Sequence, residues 1–224
     1  MSLNRKVGLF IMCAAVSAFT GCASQKPVAY SGIASASYLQ TNVDDKTGRI
    51  PYTYSRQVNW RSYTGVIVDP VEIYRGSDNQ FGDMNDEEKL DLANYMQKTF
   101  ADRLAKRFAI SNGNSNQPGR GTLRVKLILT GAETTTPFLG QFVHFDIGGN
   151  VYNGVEAATG GKSAFGGSVS FAVEVYDSAS GQLLNAYVSK QYPNAMNLAA
   201  SFGSLGAART GIDKGADALL ARLQ

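Results

Sequence analysis

One long amphipathic helix, and what flanks it, restricts this chain's fold more than any other feature. Leu90, Ala93, Met96, Phe100, Leu104 and Phe108 recur at three- and four-residue intervals, which puts one apolar stripe on a helix. Asn85 followed three residues later by Glu88 forms a capping-box pair that starts it. Asp86, Glu87, Glu88 and Asp91 crowd the first turns and Arg103, Lys106 and Arg107 the last, complementing the helix dipole at both ends. Before the helix, Val58 to Tyr74 is rich in β-branched and aromatic residues and reads as a strand. Pro70 confines its second half to an edge or a bulge. After a Ser, Asn, Gly and Pro cluster from Ser111 to Gly121, the residues Leu123, Val125, Leu127 and Leu129 alternate with mostly polar neighbours, as in a strand with one buried face. Strand, helix and strand in this order predict a right-handed crossover joining parallel neighbours.

Downstream, Val169, Phe171, Val173 and Val175 alternate with Ser168, Ser170, Ala172, Glu174 and Tyr176. Leu183 to Val188 follows the turn Asp177-Ser178-Ala179-Ser180-Gly181, which predicts a β-hairpin. Leu205, Ala208, Ile212, Leu219 and Leu223 give a second helix. Gly206, Gly211 and Gly215 lower its propensity, so packing against the sheet must hold it. The expected fold is α/β: a two-layer sandwich, with a mixed sheet of about four strands and two helices on one face.

The N-terminus predicts export. Arg5 and Lys6 precede an uncharged, mostly apolar run from Val7 to Phe19, the shape of a bacterial secretory signal. The run is shorter than the ~20 residues that span a bilayer. Gly21-Cys22 follows, and this resembles the lipobox of bacterial lipoproteins, which implies lipidation of Cys22 after removal of residues 1–21. A secretory signal cut elsewhere, with Cys22 unmodified, is the alternative. Ala23 rather than aspartate after the cysteine implies, by the same resemblance, an outer-membrane anchor with the domain facing the periplasm. The only other cysteine, Cys13, lies inside the signal, so the exported domain has no pair to bridge. Residues 22–56 read as a lipidated tether with Tyr30, Ile33, Tyr38 and Leu39 able to dock, and 57–224 as the domain.

The segments Tyr30-Ser31-Gly32-Ile33, Val66-Ile67-Val68-Asp69-Pro70-Val71, Gly119 to Leu123 and Asp177-Ser178-Ala179-Ser180-Gly181, in this order, resemble the bacterial lipoproteins of domain of unknown function 3313. That likeness implies architecture and location, with no activity attached. The layout is also similar to the N-terminal module of the Tol translocation protein.

Little in the sequence points to catalysis. The 21 basic and 18 acidic residues become 19 against 18 once Arg5 and Lys6 leave with the signal, and no local basic stripe stands in for the charge that nucleic-acid binding requires. His144 is the only histidine and sits among Phe142, Val143, Phe145 and Ile147, away from any metal-ligand spacing. Gly161-Lys162-Ser163 resembles the end of a phosphate loop, yet Glu156 stands where its first glycine belongs. The Gly-rich insertion near 134–167 is apolar as well, and has two readings: a cover for the core, or a contact surface with Phe138, Phe142, Phe145 and Tyr152 as candidate partner contacts. The expectation is a non-catalytic binding or structural module of the cell envelope. It has no cofactor and no metal, and its partners are the membrane through the lipid and an envelope protein or peptidoglycan. The alternative is a cell-wall carbohydrate hydrolase using two carboxylates from Asp69, Glu72, Glu133, Asp146 and Glu156.

Overall fold

A computed structural model describes residues 27–111, 120–134, 167–192 and 205–224. In chain order the elements are β1 (Gln40–Thr41), β2 (Tyr52–Ser55), a 3-10 turn (Trp60–Ser62), β3 (Gly65–Val68), β4 (Glu72–Ile73), α1 (Asp86–Leu104), β5 (Ala109–Ile110), β6 (Thr122–Glu133), β7 (Ser168–Asp177), β8 (Leu183–Gln191) and α2 (Gly206–Arg222). The strands form one mixed sheet of eight, ordered β1-β2-β8-β7-β6-β3-β5, with β4 also paired to β6. This corrects the expected sandwich with about four strands, and with it the likeness to the Tol module. The extra strands β1, β2, β4 and β5 are two to four residues long. Such segments are too short to display a two-residue period, and neighbouring strands supply the pairing that their own sequence does not announce.

The crossover is present: β3 and β6 pair in parallel from Gly65↔Thr122 to Val68↔Val125, with α1 between them in sequence. Asn85 caps α1 by accepting from the Glu88 amide at 2.9 Å. The buried arc of α1 is Leu92, Ala93, Met96, Thr99, Phe100 and Leu104. Leu90, which the stripe included, is 54% exposed, while Leu92 is fully buried. Leu90 lies about 40° beyond Leu104 around the helix, at 100° per residue, which places it past the rim of that arc. Pro70 falls in the break between β3 and β4, where no ladder donor is required.

Helix α2 lies against β7 and β8 through its glycines. A Cβ at Gly211 would stand 2.7 Å from Val169 Cγ1, and one at Gly215 would stand 2.4 Å from Phe171 Cζ. The two glycines that weaken the helix in isolation are therefore the ones that let it approach the sheet. Tyr95 of α1 donates to Asp213 of α2 at 3.1 Å, and Arg103 pairs with Asp217 at 2.7 Å. Later residues of one helix meet later residues of the other, so α1 and α2 run in the same direction. Both end at the pole of the sheet where β3 and β6 begin and where β7 turns into β8.

Strands β7 and β8 are buried on both faces almost throughout, whereas alternation predicts a solvated face. The second face is covered by the N-terminal segment: Tyr30, Ile33, Tyr74, Ile128, Ala172 and Val188 form a separate apolar cluster there, with Ala36, Leu39 and Tyr52 at its margin. From Pro27 onward, the stretch that composition assigns to a tether is thus part of the folded body. It ends in β2, paired antiparallel to β8 from Tyr52↔Val188 to Ser55↔Asn185.

Candidate functional site

The most highly organised polar arrangement in the described residues is the grip on this N-terminal strap. Tyr30 is 1% exposed and adopts φ +47°, a left-handed conformation that a tyrosine takes only where its surroundings compel it. Its ring meets Tyr74 edge-on with centroids 5.4 Å apart. Burial pushes its hydroxyl up to about 12, against a smaller opposing effect of the neighbouring Thr130 and Ser170 side chains, and the hydroxyl has no hydrogen-bond partner among the described residues. The backbone that follows is held by Asp78, directly and through Tyr74. The Ser31 amide donates to Asp78 Oδ2 at 3.2 Å, Tyr74 donates its hydroxyl hydrogen to Asp78 Oδ1 at 2.6 Å, and the Gly32 amide donates to the Tyr74 oxygen at 3.1 Å. The hydrogen bond from Tyr74 holds the Asp78 carboxyl below the usual range, against a smaller opposing effect of burial.

Further along the strap, the Ser35 amide donates to Glu174 Oε1 at 2.7 Å, and Tyr176 donates to Glu174 Oε2 at 2.7 Å. Glu174 is 1% exposed at the centre of β7. Both of its oxygens are engaged, which is the condition under which a buried carboxylate is tolerated. Burial, and then the adjacent Glu174 carboxylate, push the Tyr176 hydroxyl upward. Tyr38 closes the strap against Tyr54 of β2, the two rings tilted with centroids 5.3 Å apart. The result is a chain segment tied down by two carboxylates, each taking one backbone N–H and one tyrosine hydroxyl.

Beside Tyr74 an open cleft of about 440 Å³ lies between the end of β4 and the first turn of α1. Arg75, Asn79 and Lys89 supply donors, Asp86 an acceptor, and Phe81 and the exposed Leu90 an apolar wall. Lys89 is already committed to Asp86 at 3.0 Å and stands 5.4 Å over the Phe81 ring. The cleft offers hydrogen bonds and one guanidinium, and no nucleophile beside a base lines it. Among the described residues no group of three or more His, Cys, Asp or Glu could hold a metal ion, and no helix is long and apolar enough to cross a membrane.

Cys22, Phe138, Phe142, His144, Phe145, Tyr152, Gly161-Lys162-Ser163, and the carboxylates Asp146 and Glu156 lie outside the described residues. The other carboxylates are spread out. Asp69 faces Arg124 at 3.7 Å, Glu133 pairs with the buried Lys190 at 2.8 Å, and Glu72 is exposed on β4. Sequence reasoning missed Asp78 and Glu174. Asp78 sits in a polar loop, and Glu174 occupies a position that alternation assigns to solvent; only the Tyr30-Ser31-Gly32-Ile33 motif hinted that the strap docks somewhere.

No curated protein matches the chain. Among solved structures it is similar to the PelC dodecamer from Paraburkholderia phytofirmans, at 10% identity over 76% of this chain and 91% of that one, with a TM-score of 0.36. It is also similar to the hypothetical protein CT253 from Chlamydia trachomatis, at 11% identity over 72% and 93% of the two chains, with a TM-score of 0.33. The family model described as "Protein of unknown function (DUF3313)" matches residues 29–219, from the edge of the strap to the last turns of α2, and the chain belongs to that family.

Proposed function

We propose that this protein is a lipid-anchored lipoprotein of the outer membrane, facing the periplasm, that serves the cell envelope as a non-catalytic binding or structural module. The supporting observation is one of spacing. Cys22, at the end of the expected export signal, precedes by only five residues Pro27, which is buried in the folded body. Five residues reach at most ~17 Å when fully extended, so a lipid on Cys22 holds the domain close against the bilayer. Two or three acyl chains suffice for stable anchoring, where one alone binds only marginally. The contact to an envelope partner is assigned to the apolar, Gly-rich insertion, with Phe138, Phe142, Phe145 and Tyr152 as its anchors.

Fractionation of cells carrying the full chain or Cys22→Ala tests the anchor. The alanine variant leaves the membrane fraction, and the wild-type N-terminal peptide carries the acyl mass. A Cys22→Ala protein that stays in the membrane refutes the lipid attachment. Deletion of residues 140–161 tests the contact: a folded protein that loses its crosslinked partner supports it, and an unfolded one assigns the insertion to the core instead.

A further inference from the structure

Although the chain is nearly neutral, its charges are sorted in space. Among the described residues, the basic side chains with no acidic, carbonyl or aromatic partner are Arg56, Arg61, Arg75, Lys106 and Arg120. All but Arg75 gather at the pole where both helices end. Arg56 follows β2, its amide bonded to Leu184 O at the start of β8. Arg61 lies in the 3-10 turn, whose Trp60 carbonyl accepts from Arg107 at 2.9 Å. Arg120 immediately precedes Gly121, whose carbonyl accepts from Thr64 and Gly65. Lys106 follows the last turn of α1. The acids nearest this pole are occupied: Asp177 accepts from Tyr63 and Ser180, Asp102 pairs with Lys98, and Asp217 pairs with Arg103.

The α1 dipole accounts for Lys106 and Arg107. It does not account for Arg56, Arg61 and Arg120, which come from loops and meet only through the fold. Exposed cations gathered at one pole sum to a positive field that attracts an anion laid across them. The opposite pole carries Asp83, Asp86 and Glu87 at the start of α1. The strap enters beside it, since Tyr30 packs on Tyr74 while β7 runs on from Ser170 to Asp177, a rise of ~23 Å.

We propose that this basic pole docks a carboxylate-bearing polymer of the envelope, the peptide-linked cell wall, on the side facing away from the anchoring bilayer. The orientation rests on the anchor proposed above; the charge cluster does not. The test is co-sedimentation of the detergent-solubilised full chain with purified cell-wall sacculi, run beside vesicles of phosphatidylglycerol. The wild type pellets with sacculi and is released by 0.5 M salt. The triple variant Arg56→Glu, Arg61→Glu, Arg120→Glu, or its glutamine counterpart if the glutamates impair folding, binds at least ~10-fold more weakly. Lys46→Glu, in the exposed loop that precedes β2 at the other end, binds as the wild type does. Equal binding by the triple variant, no binding by the wild type, or capture by vesicles alone overturns the proposal. Failure of the anchor is read separately, from the membrane fraction of Cys22→Ala, because lipid does not enter the sacculus assay.

Discussion

Replacing Gly215 with alanine sets two known effects against each other. In a free helix the change is favourable by about 1 kcal/mol, because glycine forfeits backbone entropy. In this fold the new methyl would stand 2.4 Å from Phe171 Cζ, where ordinary contact requires about 3.5 Å. Something must move by about 1 Å. The Phe171 ring is fully buried and packed edge-on against Phe100 with centroids 5.8 Å apart, so the shift passes into α1. Overpacking of a tight core costs about 1–3 kcal/mol. With the ring pinned, the upper end applies, leaving a net loss of about 2 kcal/mol after the helix gain. For a chain of this size that is a fall in Tm of about 4–8 °C. Thermal unfolding followed by circular dichroism measures it, and the double variant Gly215→Ala, Phe171→Leu recovers part of the loss through a coupling of about 1 kcal/mol. A Tm equal to or above that of the wild type would refute the claim that α2 is held by close approach rather than by its own propensity.

Two further outcomes concern the strap. The folded Asp78 carboxyl is depressed, so its stabilising contribution is complete above the unfolded value of about 3.9 and is lost as pH falls through the lower folded value. Protection of the Ser31 and Gly32 amides from hydrogen exchange, taken relative to the unstructured chain at the same pH, therefore falls in acid, and in Asp78→Asn it is low at neutral pH and loses that acid dependence. Glu174→Gln keeps one acceptor but turns an N–H₂ toward Ser35 or Tyr176. It costs about 1–3 kcal/mol in urea unfolding, as expected for an unmade buried hydrogen bond, whereas a substitution without effect would mean that the strap does not depend on that carboxylate.

The elements legible beforehand are those whose signal is local. Asn85 and Glu88 mark the start of α1, Leu123 to Leu129 mark β6, and Asp177 to Gly181 mark the hairpin, because caps, periods and turns are written within a few residues. What stayed hidden depends on partners distant in sequence. Tyr52 to Ser55 is a strand only because β8 pairs with it, and Glu174 is buried only because Ser35, well over a hundred residues earlier, lies across it. The error at Leu90 has the same origin, since a stripe wide enough to admit both Leu90 and Leu104 does not say where the arc stops until the sheet is in place.

The strap also changes what the proposed anchor on Cys22 would mean. A flexible stretch from Ala23 to Arg56 would let the domain range over its surroundings, with reach growing as the square root of length. With Pro27 and Tyr30 buried, the chain from Pro27 onward cannot act as a leash, and the acids Asp78 and Glu174 resist a pull on it. Under the lipid anchor proposed above, a load applied at the lipid is borne by the Tyr30 side chain and the Ser31 amide, at the acidic end, before it reaches the sheet. The entry of the strap and the basic pole sit at opposite ends of β7, the strand that also carries the Glu174 lock. The two attachments proposed above would then be separate points joined through a strand buried on both faces.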